Sequence, residues 1–159
     1  MLTITVDDSA FRTYLEQLQK DLGDLYPVMD SIGNALETRV RQRFQTRTDP
    51  QGQPWSPWRE STQEGYPFPG SPAAAVEGPG NGRLLDRHGT MLNLLSYTAN
   101  STSVRIGFAS EYAAHHEWGT VNMDRRGMLM ADHDAGTLGQ ADEAAVLDIV
   151  AGWLDDLAA

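Results

Sequence analysis

The sequence predicts an α+β fold, in which a small antiparallel sheet with a β-hairpin packs against two N-terminal helices and one C-terminal helix. Three observations support this prediction. Apolar residues alternate with polar ones at two places, they recur at helical spacing at three others, and a long Pro/Gly-rich loop lies between. The 159 residues suit one compact domain, so we assign residues 1–159 to a single unit.

The chain begins with a short strand and two helices. Apolar residues alternate with threonines over residues 2–6, which predicts a strand. Apolar residues spaced three and four apart then predict a helix that ends near Gly23. A second helix is predicted over residues 26–44, where an apolar residue recurs at every fourth position. Four arginines lie mostly off that apolar stripe and are expected to be exposed: Arg39, Arg41, Arg43 and Arg47.

A long irregular region follows the second helix. Residues 46–83 contain every proline except Pro27, and proline removes backbone donors that helices and central strands need. Trp55 and Trp58 are expected to anchor the first part of this region to the core, because disordered segments are poor in aromatic residues. The part from about residue 69 to 82 is expected to be a mobile loop.

The second half of the chain returns to regular patterns. A helical turn is predicted after Leu84, and a β-hairpin over residues 97–108 with a polar turn at its centre. A short amphipathic helix is predicted over residues 112–118, followed by an irregular stretch over 120–139. The last helix is predicted over residues 141–157 from its apolar side.

Composition and charge exclude several classes of function. The absence of cysteine excludes disulfides, thiolate metal sites and a cysteine nucleophile. A net charge of −10 argues against binding DNA through broad phosphate neutralisation. No apolar run approaches the roughly 18–20 residues of a membrane span, and the N-terminus does not resemble a secretory signal, so we expect a protein made in a cytoplasm. The basic segment and the acidic C-terminal region are either solvated faces or surfaces for head-to-tail self-association.

An enzyme is not favoured by the motifs present. The chain contains no Gly-x-Ser-x-Gly elbow and no Walker A loop. His115 and His116 are adjacent, so on a helix they would point about 100° apart and could not both hold one ion. We therefore predict no catalytic residue, no cofactor and no metal. A metal-dependent hydrolase stays an alternative, and its ligands would be His88, His116 and His133.

Two segments carry motifs of turn-forming and aromatic residues. In residues 44–55 a phenylalanine is followed by Asp-Pro-x-Gly-x-x-Trp. Residues 84–119 contain a Leu-x-x-x-Gly step, a hairpin strand and a Tyr-Ala-x-x-His segment that ends at a glycine. Together these segments resemble the phage virion morphogenesis family, the tail completion or tail terminator-like proteins of tailed phages. The residues that carry the motifs are candidates for structural or interaction roles: Asp49, Pro50, Gly52, Trp55, Gly89, Tyr112, His116 and Gly119.

The chain departs from the family's pattern at two places. Glu117 stands where the family has Gln. The family commonly carries a Pro-Ala-Arg-Pro-Phe-Leu-Gly segment before its last helix, whereas the corresponding residues 122–130 contain no proline.

The resemblance implies a structural protein of the virion, at the neck or head-proximal end of the tail and assembled in the host cytoplasm. It would cap the tail tube and enable head–tail joining as a ring, expected to be a hexamer. The implied partners are other copies of the chain, the tail-tube protein and connector or neck proteins, with no membrane. The genome would pass without specific binding, repelled by an acidic channel wall whose candidates, from charge alone, are Asp142, Glu143, Asp155 and Asp156. An assembly adaptor that never enters the virion is a further alternative.

Overall fold

The computed structural model describes residues 2–4, 13, 14, 16, 17, 20, 24–60, 84, 85 and 90–158. It has the predicted α+β class. The residues described between positions 13 and 20 are helical, as predicted, but this helix has no defined bounds and carries no label here. The labels α1 to α4 begin with the next helix along the chain. The elements with defined bounds are β1 (Leu2–Ile4), α1 (Tyr26–Thr46), α2 (Thr90–Asn93), β2 (Leu95–Ala99), β3 (Val104–Phe108), α3 (Tyr112–Trp118) and α4 (Gln140–Ala158).

Several predicted features lie outside the described residues. These are the mobile loop at 69–82, the motif residue Gly89 and the candidate ligand His88. The helix predicted from Leu84 is confined to the four residues of α2, and Leu85 before it has a positive φ of 65°. A left-handed residue at this position cannot continue a right-handed helix, so the helix begins later than predicted.

The sheet has three strands in the order β1–β3–β2, and both pairings are antiparallel. The predicted hairpin is confirmed, since β2 and β3 pair in register with Leu95 opposite Phe108. Its turn is closed by the N–H of Asn100, which donates to the carbonyl of Ser103 at 2.9 Å. The Asn100 side-chain oxygen accepts the N–H groups of Thr102 and Ser103, so the polar turn cluster stabilises itself.

Helix α1 is the central element. It begins where the Asp24 carboxylate accepts the N–H of Tyr26 at 2.9 Å, with proline in the first turn. It ends two residues later than predicted, at Thr46, and the capping residue Arg47 adopts the left-handed conformation with φ 59° and donates its N–H to the carbonyl of Arg43. No helix in the described parts of the chain is both long enough and apolar enough to span a membrane.

Two apolar clusters lie along α1. Near its start, Val28, Ile32 and Leu36 pack against α4, where Val146, Ile149, Val150 and Trp153 are partly buried. Near its end, Phe44 packs edge-on against Trp55, with ring centroids 5.4 Å apart, and against Phe108 of the hairpin. Helix α1 therefore contacts the sheet, the C-terminal helix α4 and the loop that follows α1.

Arg43 corrects the prediction that the arginines of α1 are exposed. It is only 7% exposed, whereas Arg47 is exposed and Arg39 and Arg41 are partly exposed. The prediction is wrong for Arg43 because its side chain donates to the carbonyl of Met128, in the loop before α4, and pairs with Asp142 in the first turn of α4.

Gly33 allows the hairpin to approach α1 closely. The ring of Tyr97 lies directly over this glycine, where a Cβ atom would overlap the ring. The Tyr97 hydroxyl donates to the Asp30 carboxylate at 3.0 Å, which fixes the position of the ring. The contact therefore requires glycine for space, at the known cost of glycine in a helix.

Replacing Gly33 with alanine is expected to lower the free energy of unfolding by about 1–3 kcal/mol, the usual cost of overpacking. Alanine is intrinsically favoured over glycine in a helix by about 1 kcal/mol. Helix propensity alone would therefore stabilise the variant, and a loss of stability can be attributed to the contact with Tyr97. Gly152→Ala is the matched control, because nothing lies near that position of α4, and it should be neutral or stabilising. Urea denaturation measures both variants, and a stabilised Gly33→Ala protein would contradict the close contact.

Candidate functional site

The motif residues of the first segment form a tight turn after α1, which we call the proline turn (residues 49–52). The Asp49 carboxylate accepts the N–H groups of Gln51 at 2.9 Å and Gln53 at 2.8 Å. Gly52 has φ 82°, a conformation that glycine adopts without strain. The predicted turn chemistry of Asp49, Pro50 and Gly52 is thus present in the structure.

The proline turn is seated against the beginning of α4. Pro50 is buried, and its carbonyl oxygen lies so close to Gly139 that no Cβ could be placed there. The carbonyl of Gly139 in turn accepts the N–H groups of Asp142 and Glu143, both at 2.9 Å. A groove of about 760 Å³ runs along this contact, between α1, the proline turn and the start of α4.

A second loop, residues 125–130, is held on several sides, and we call it the clamped loop. On one side lies Glu117 of α3, which is 0% exposed. Its carboxylate accepts three consecutive backbone N–H groups, from Met128 at 2.7 Å, Leu129 at 3.0 Å and Met130 at 3.0 Å. Arg125 adds a fourth donor at 3.2 Å, so the buried negative charge is fully solvated by the protein.

The arginines of the clamped loop bind backbone carbonyls. Arg125 donates from Nε to the carbonyl of Glu117 at 2.8 Å and from Nη2 to that of Met130 at 2.5 Å. Arg126 donates to the carbonyls of Ser56 at 2.8 Å and Pro57 at 3.0 Å. The clamped loop is therefore tied both to α3 and to the segment that follows the proline turn.

Trp55 and Arg43 hold the other side of the clamped loop. Trp55, buried as expected, donates its indole N–H to the carbonyl of Gly127 at 2.9 Å. Arg43 donates to the carbonyl of Met128 at 2.8 Å and forms a short ion pair with Asp142. The clamped loop thus receives contacts from α1, from α3 and from the residues after the proline turn.

The position of Asp142 contradicts its assignment to an acidic channel wall. Asp142 is 1% exposed, and its two oxygens pair with Arg43 and with Arg39, the latter at 2.5 Å. A carboxylate enclosed by two guanidinium groups cannot present its charge to a channel. The basic and acidic segments therefore meet within one molecule at this point, instead of facing solvent separately.

The other candidates of the acidic wall are exposed: Glu143, Asp155 and Asp156.

The remaining motif residues lie on or beside α3. Gly119 ends the helix with φ 75°, and a Cβ there would lie 3.0 Å from the Arg125 backbone nitrogen, so two backbones approach each other closely at this glycine. Tyr112 is largely exposed. His116 is partly buried, and burial together with the neighbouring charges of Arg126 and His115 lowers its pKa to about 4. It is therefore neutral at pH 7.

The histidines predicted as alternative metal ligands do not converge within the described residues. His116 is not part of a metal-ligating cluster there, and His88 lies outside them. His133 lies in a cluster with Asp132 and Asp134, whose candidate ligand atoms all fall within 4.8 Å of one another. Asp132 already accepts the N–H groups of Ala135 and Asp134, and these hydrogen bonds lower the pKa of Asp132. Its carboxylate therefore stabilises the turn over residues 132–135.

Comparison with known proteins places the chain in a family. The model of the phage virion morphogenesis family matches residues 6–155. The chain belongs to this family. Its match spans the proline turn, the clamped loop and most of α4. No curated protein and no solved structure matches the chain.

Sequence reasoning on this member of the virion morphogenesis family missed the residues that hold the clamped loop. Glu117 was noted only as a departure from the family's Gln. One signal was available, because Glu117 follows Ala113 by four positions and so lies on the buried face of a short helix. A charged residue on an apolar face requires partners. Which arginine would supply one is not readable from spacing.

Replacing Glu117 with glutamine is expected to destabilise the protein by at least about 2 kcal/mol. The amide NH₂ group would replace one carboxylate oxygen, and it cannot accept the hydrogen bonds that the backbone N–H groups donate there. Glu111→Gln is the matched control, since this exposed residue precedes the same helix and caps nothing with its side chain. Urea denaturation gives the free energies. Equal stability of the two variants would show that the carboxylate does not hold the clamped loop.

Proposed function

We propose that the chain is a structural virion assembly protein at the head-proximal end of a phage tail, where it caps the tail tube and enables head–tail joining as a ring. The observation that carries this proposal is the family match over residues 6–155. Membership supports a role in building the virion, and the position at the head–tail junction follows from the resemblance of the motifs to tail completion proteins.

The geometry of the site supports a scaffold in preference to a catalytic centre. The buried acids Glu117 and Asp142 have both oxygens occupied by backbone N–H groups or guanidinium groups. A general acid or base needs a proton-transfer position open to substrate. These charges instead hold loops in place, which suits a protein whose surface must keep its shape during assembly.

Exposed apolar residues near α3 offer contacts for neighbours. Trp118 is 43% exposed and Val121 is 99% exposed, and Tyr112 lies on the same short helix as Trp118. Large aromatic residues are enriched in protein interfaces. Val121 lies in a tight turn closed by reciprocal backbone bonds between Thr120 and Met123, at 2.8 and 3.1 Å. These exposed side chains and the groove beside the proline turn are the proposed contacts for the tail-tube protein and for connector or neck proteins.

Quantitative mass spectrometry of purified virions, scaled against the tail-tube protein, tests the proposal. We expect a low fixed copy number, on the order of six for one cyclic ring. Deleting the gene should leave separate full heads and unjoined tails. Absence of the protein from clean particles would overturn the proposal and favour an assembly adaptor that does not enter the virion.

The acidic wall of the proposed channel is restricted to the exposed acids of α4. Glu143, Asp155 and Asp156 would repel DNA phosphates and let the genome pass without binding, while Asp142 is withdrawn from this role.

Charge reversal tests the repulsion. The pair Asp155→Lys and Asp156→Lys is expected to slow DNA ejection or reduce infectivity, since lysines would bind the passing phosphates. Reversal of exposed acids elsewhere, Glu111→Lys with Asp134→Lys, changes the net charge equally and should have a smaller effect. Ejection assays on particles that carry each pair measure this, and unchanged ejection by the α4 pair would exclude the acidic wall.

A further inference from the structure

The outer edge of β2 presents backbone groups that β3 does not use. Two hydrogen bonds bracket the β2–β3 pairing: Asn100 N–H to Ser103 carbonyl, and Ala109 N–H to Leu94 carbonyl, both 2.9 Å. Antiparallel pairs alternate between hydrogen-bonded and non-hydrogen-bonded pairs. With the observed register, Ser96 and Thr98 therefore bond to β3. The N–H and C=O groups at positions 95, 97 and 99 point away from it.

This edge carries none of the devices that usually prevent strands from pairing with other chains. Edge strands are commonly protected by proline, by lysine or other charges, by a bulge or by very short length. The five residues Leu95–Ala99 include no proline and no charged residue, and their register to β3 is unbroken. Among the described strands, none pairs beyond β2. An open edge of this kind is a template for one more strand.

The opposite edge of the same sheet is β1. The groups of Ile106 and Phe108 that β2 does not use point toward β1, so they bond to Ile4 and Leu2 in the observed register. The N–H and C=O groups of the intervening position 3 therefore point outward. Within the described residues, neither edge of the sheet has a further partner strand, so each is a candidate to accept one.

We propose that β2 of one copy pairs with β1 of a second copy, in parallel, so that the sheets of neighbouring subunits become continuous. This inference rests on the proposed ring and names the contact that would close it. A contact between two different surfaces of the same chain is heterologous, and repetition of such contacts generates a ring when the rotation closes.

The directions of β1 and β2, and the positions of their outward backbone groups, both favour a parallel pairing between β2 of one copy and β1 of the next. β1 and β2 are both antiparallel to β3, so they run the same way, and rotation about an axis along the strands preserves that direction. We call the contact between β2 of one copy and β1 of the next the seam. In a parallel pair, a residue whose backbone N–H and C=O point into the seam lies opposite a residue whose N–H and C=O point away from it. Position 3 would then lie opposite Ser96 or Thr98. All three lie on the same face of the sheet, because position 3 and Ser96 both pair with Gly107, and Thr98 pairs with Arg105.

An antiparallel seam would invert one of the two sheets. In an antiparallel pair, groups that point into the seam lie opposite each other, so position 3 would face Tyr97. Tyr97 lies on the face that packs against α1, whereas position 3 pairs with Gly107 on the other face. The helices of neighbouring subunits would then lie on opposite sides of the sheet, which is incompatible with rotation about an axis along the strands.

Disulfide trapping tests the seam, because the chain has no cysteine of its own. Two double variants are needed: Thr3→Cys with Thr98→Cys, and Thr3→Cys with Ser96→Cys. Paired strands lie about 4.8 Å apart, within the range for a disulfide, whereas β1 and β2 of one subunit are separated by β3 and cannot be bridged. Any disulfide formed is therefore between subunits.

At least one double variant should give a ladder of cross-linked multimers after mild oxidation, both in concentrated protein and in purified particles. Thr3→Cys alone should give none. Ser96→Cys with Thr98→Cys should also give none, and a dimer from this variant would mean that two β2 strands pair with each other, which overturns the proposal.

A backbone variant tests the same seam without cysteine. Ala99→Pro removes an outward N–H that β3 does not use, and proline is tolerated where an edge N–H faces solvent. Its urea midpoint should stay near that of the control Ala99→Ser, while its assembly into rings and particles should fall at least tenfold. Assembly equal to the control would overturn the seam.

The outcomes separate this inference from the proposed function. If the unmodified protein is present in virions at ring stoichiometry but neither double variant cross-links, the seam is wrong and the proposed function stands. If the protein is absent from virions, the proposed function fails, whatever the cross-linking in concentrated solution shows.

Discussion

The carboxylate of Glu117 is the interaction on which the arrangement of the C-terminal half depends. Burial of a charge costs several kcal/mol unless hydrogen bonds replace water, and here three consecutive backbone N–H groups and Arg125 do so. The same bonds hold three consecutive residues of the clamped loop against α3. Once this loop is fixed, its carbonyls accept Trp55 and Arg43, and α4 is positioned from there.

Part of the charge of this protein acts within the molecule, between α1 and α4. A chain with net charge −10 would be expected to repel itself, yet the buried Asp142 of α4 pairs with the buried Arg43 and the partly exposed Arg39 of α1. Removing Asp142 would leave the buried guanidinium group of Arg43 without its carboxylate, which is far more costly than losing a surface pair. These ion pairs therefore specify how α1 and α4 pack, while the apolar contacts of Val146, Ile149 and Trp153 supply the burial.

Periodicity in the sequence predicted most of the elements. The alternation in the hairpin, the four-residue repeat of α1 and the apolar side of α4 are local patterns, and each element was found within a few residues of its predicted bounds. Turn chemistry was equally readable at Asp49 and Gly52, because these residue types act on their own backbone neighbours.

The site was predictable only in part, for a physical reason. Arg43 and Asp142 lie far apart along the chain, and their pairing depends on how two helices and a loop meet in space. Spacing along one helix gives no information about such a partner, so Arg43 was expected to be exposed and Asp142 was assigned to a channel. Glu117 was recognisable as unusual, but its three backbone donors come from an irregular loop with no periodic pattern.

The seating of Pro50 against Gly139 has a consequence for how this sequence can diverge. The two backbones touch without an intervening side chain, so any residue larger than glycine at position 139 would force the proline turn off the start of α4. Positions remote in the chain thereby share one steric constraint. Drift in the length or shape of the loop after α1 is limited by a glycine at the start of the last helix, and that glycine can be lost only if the loop is remodelled with it.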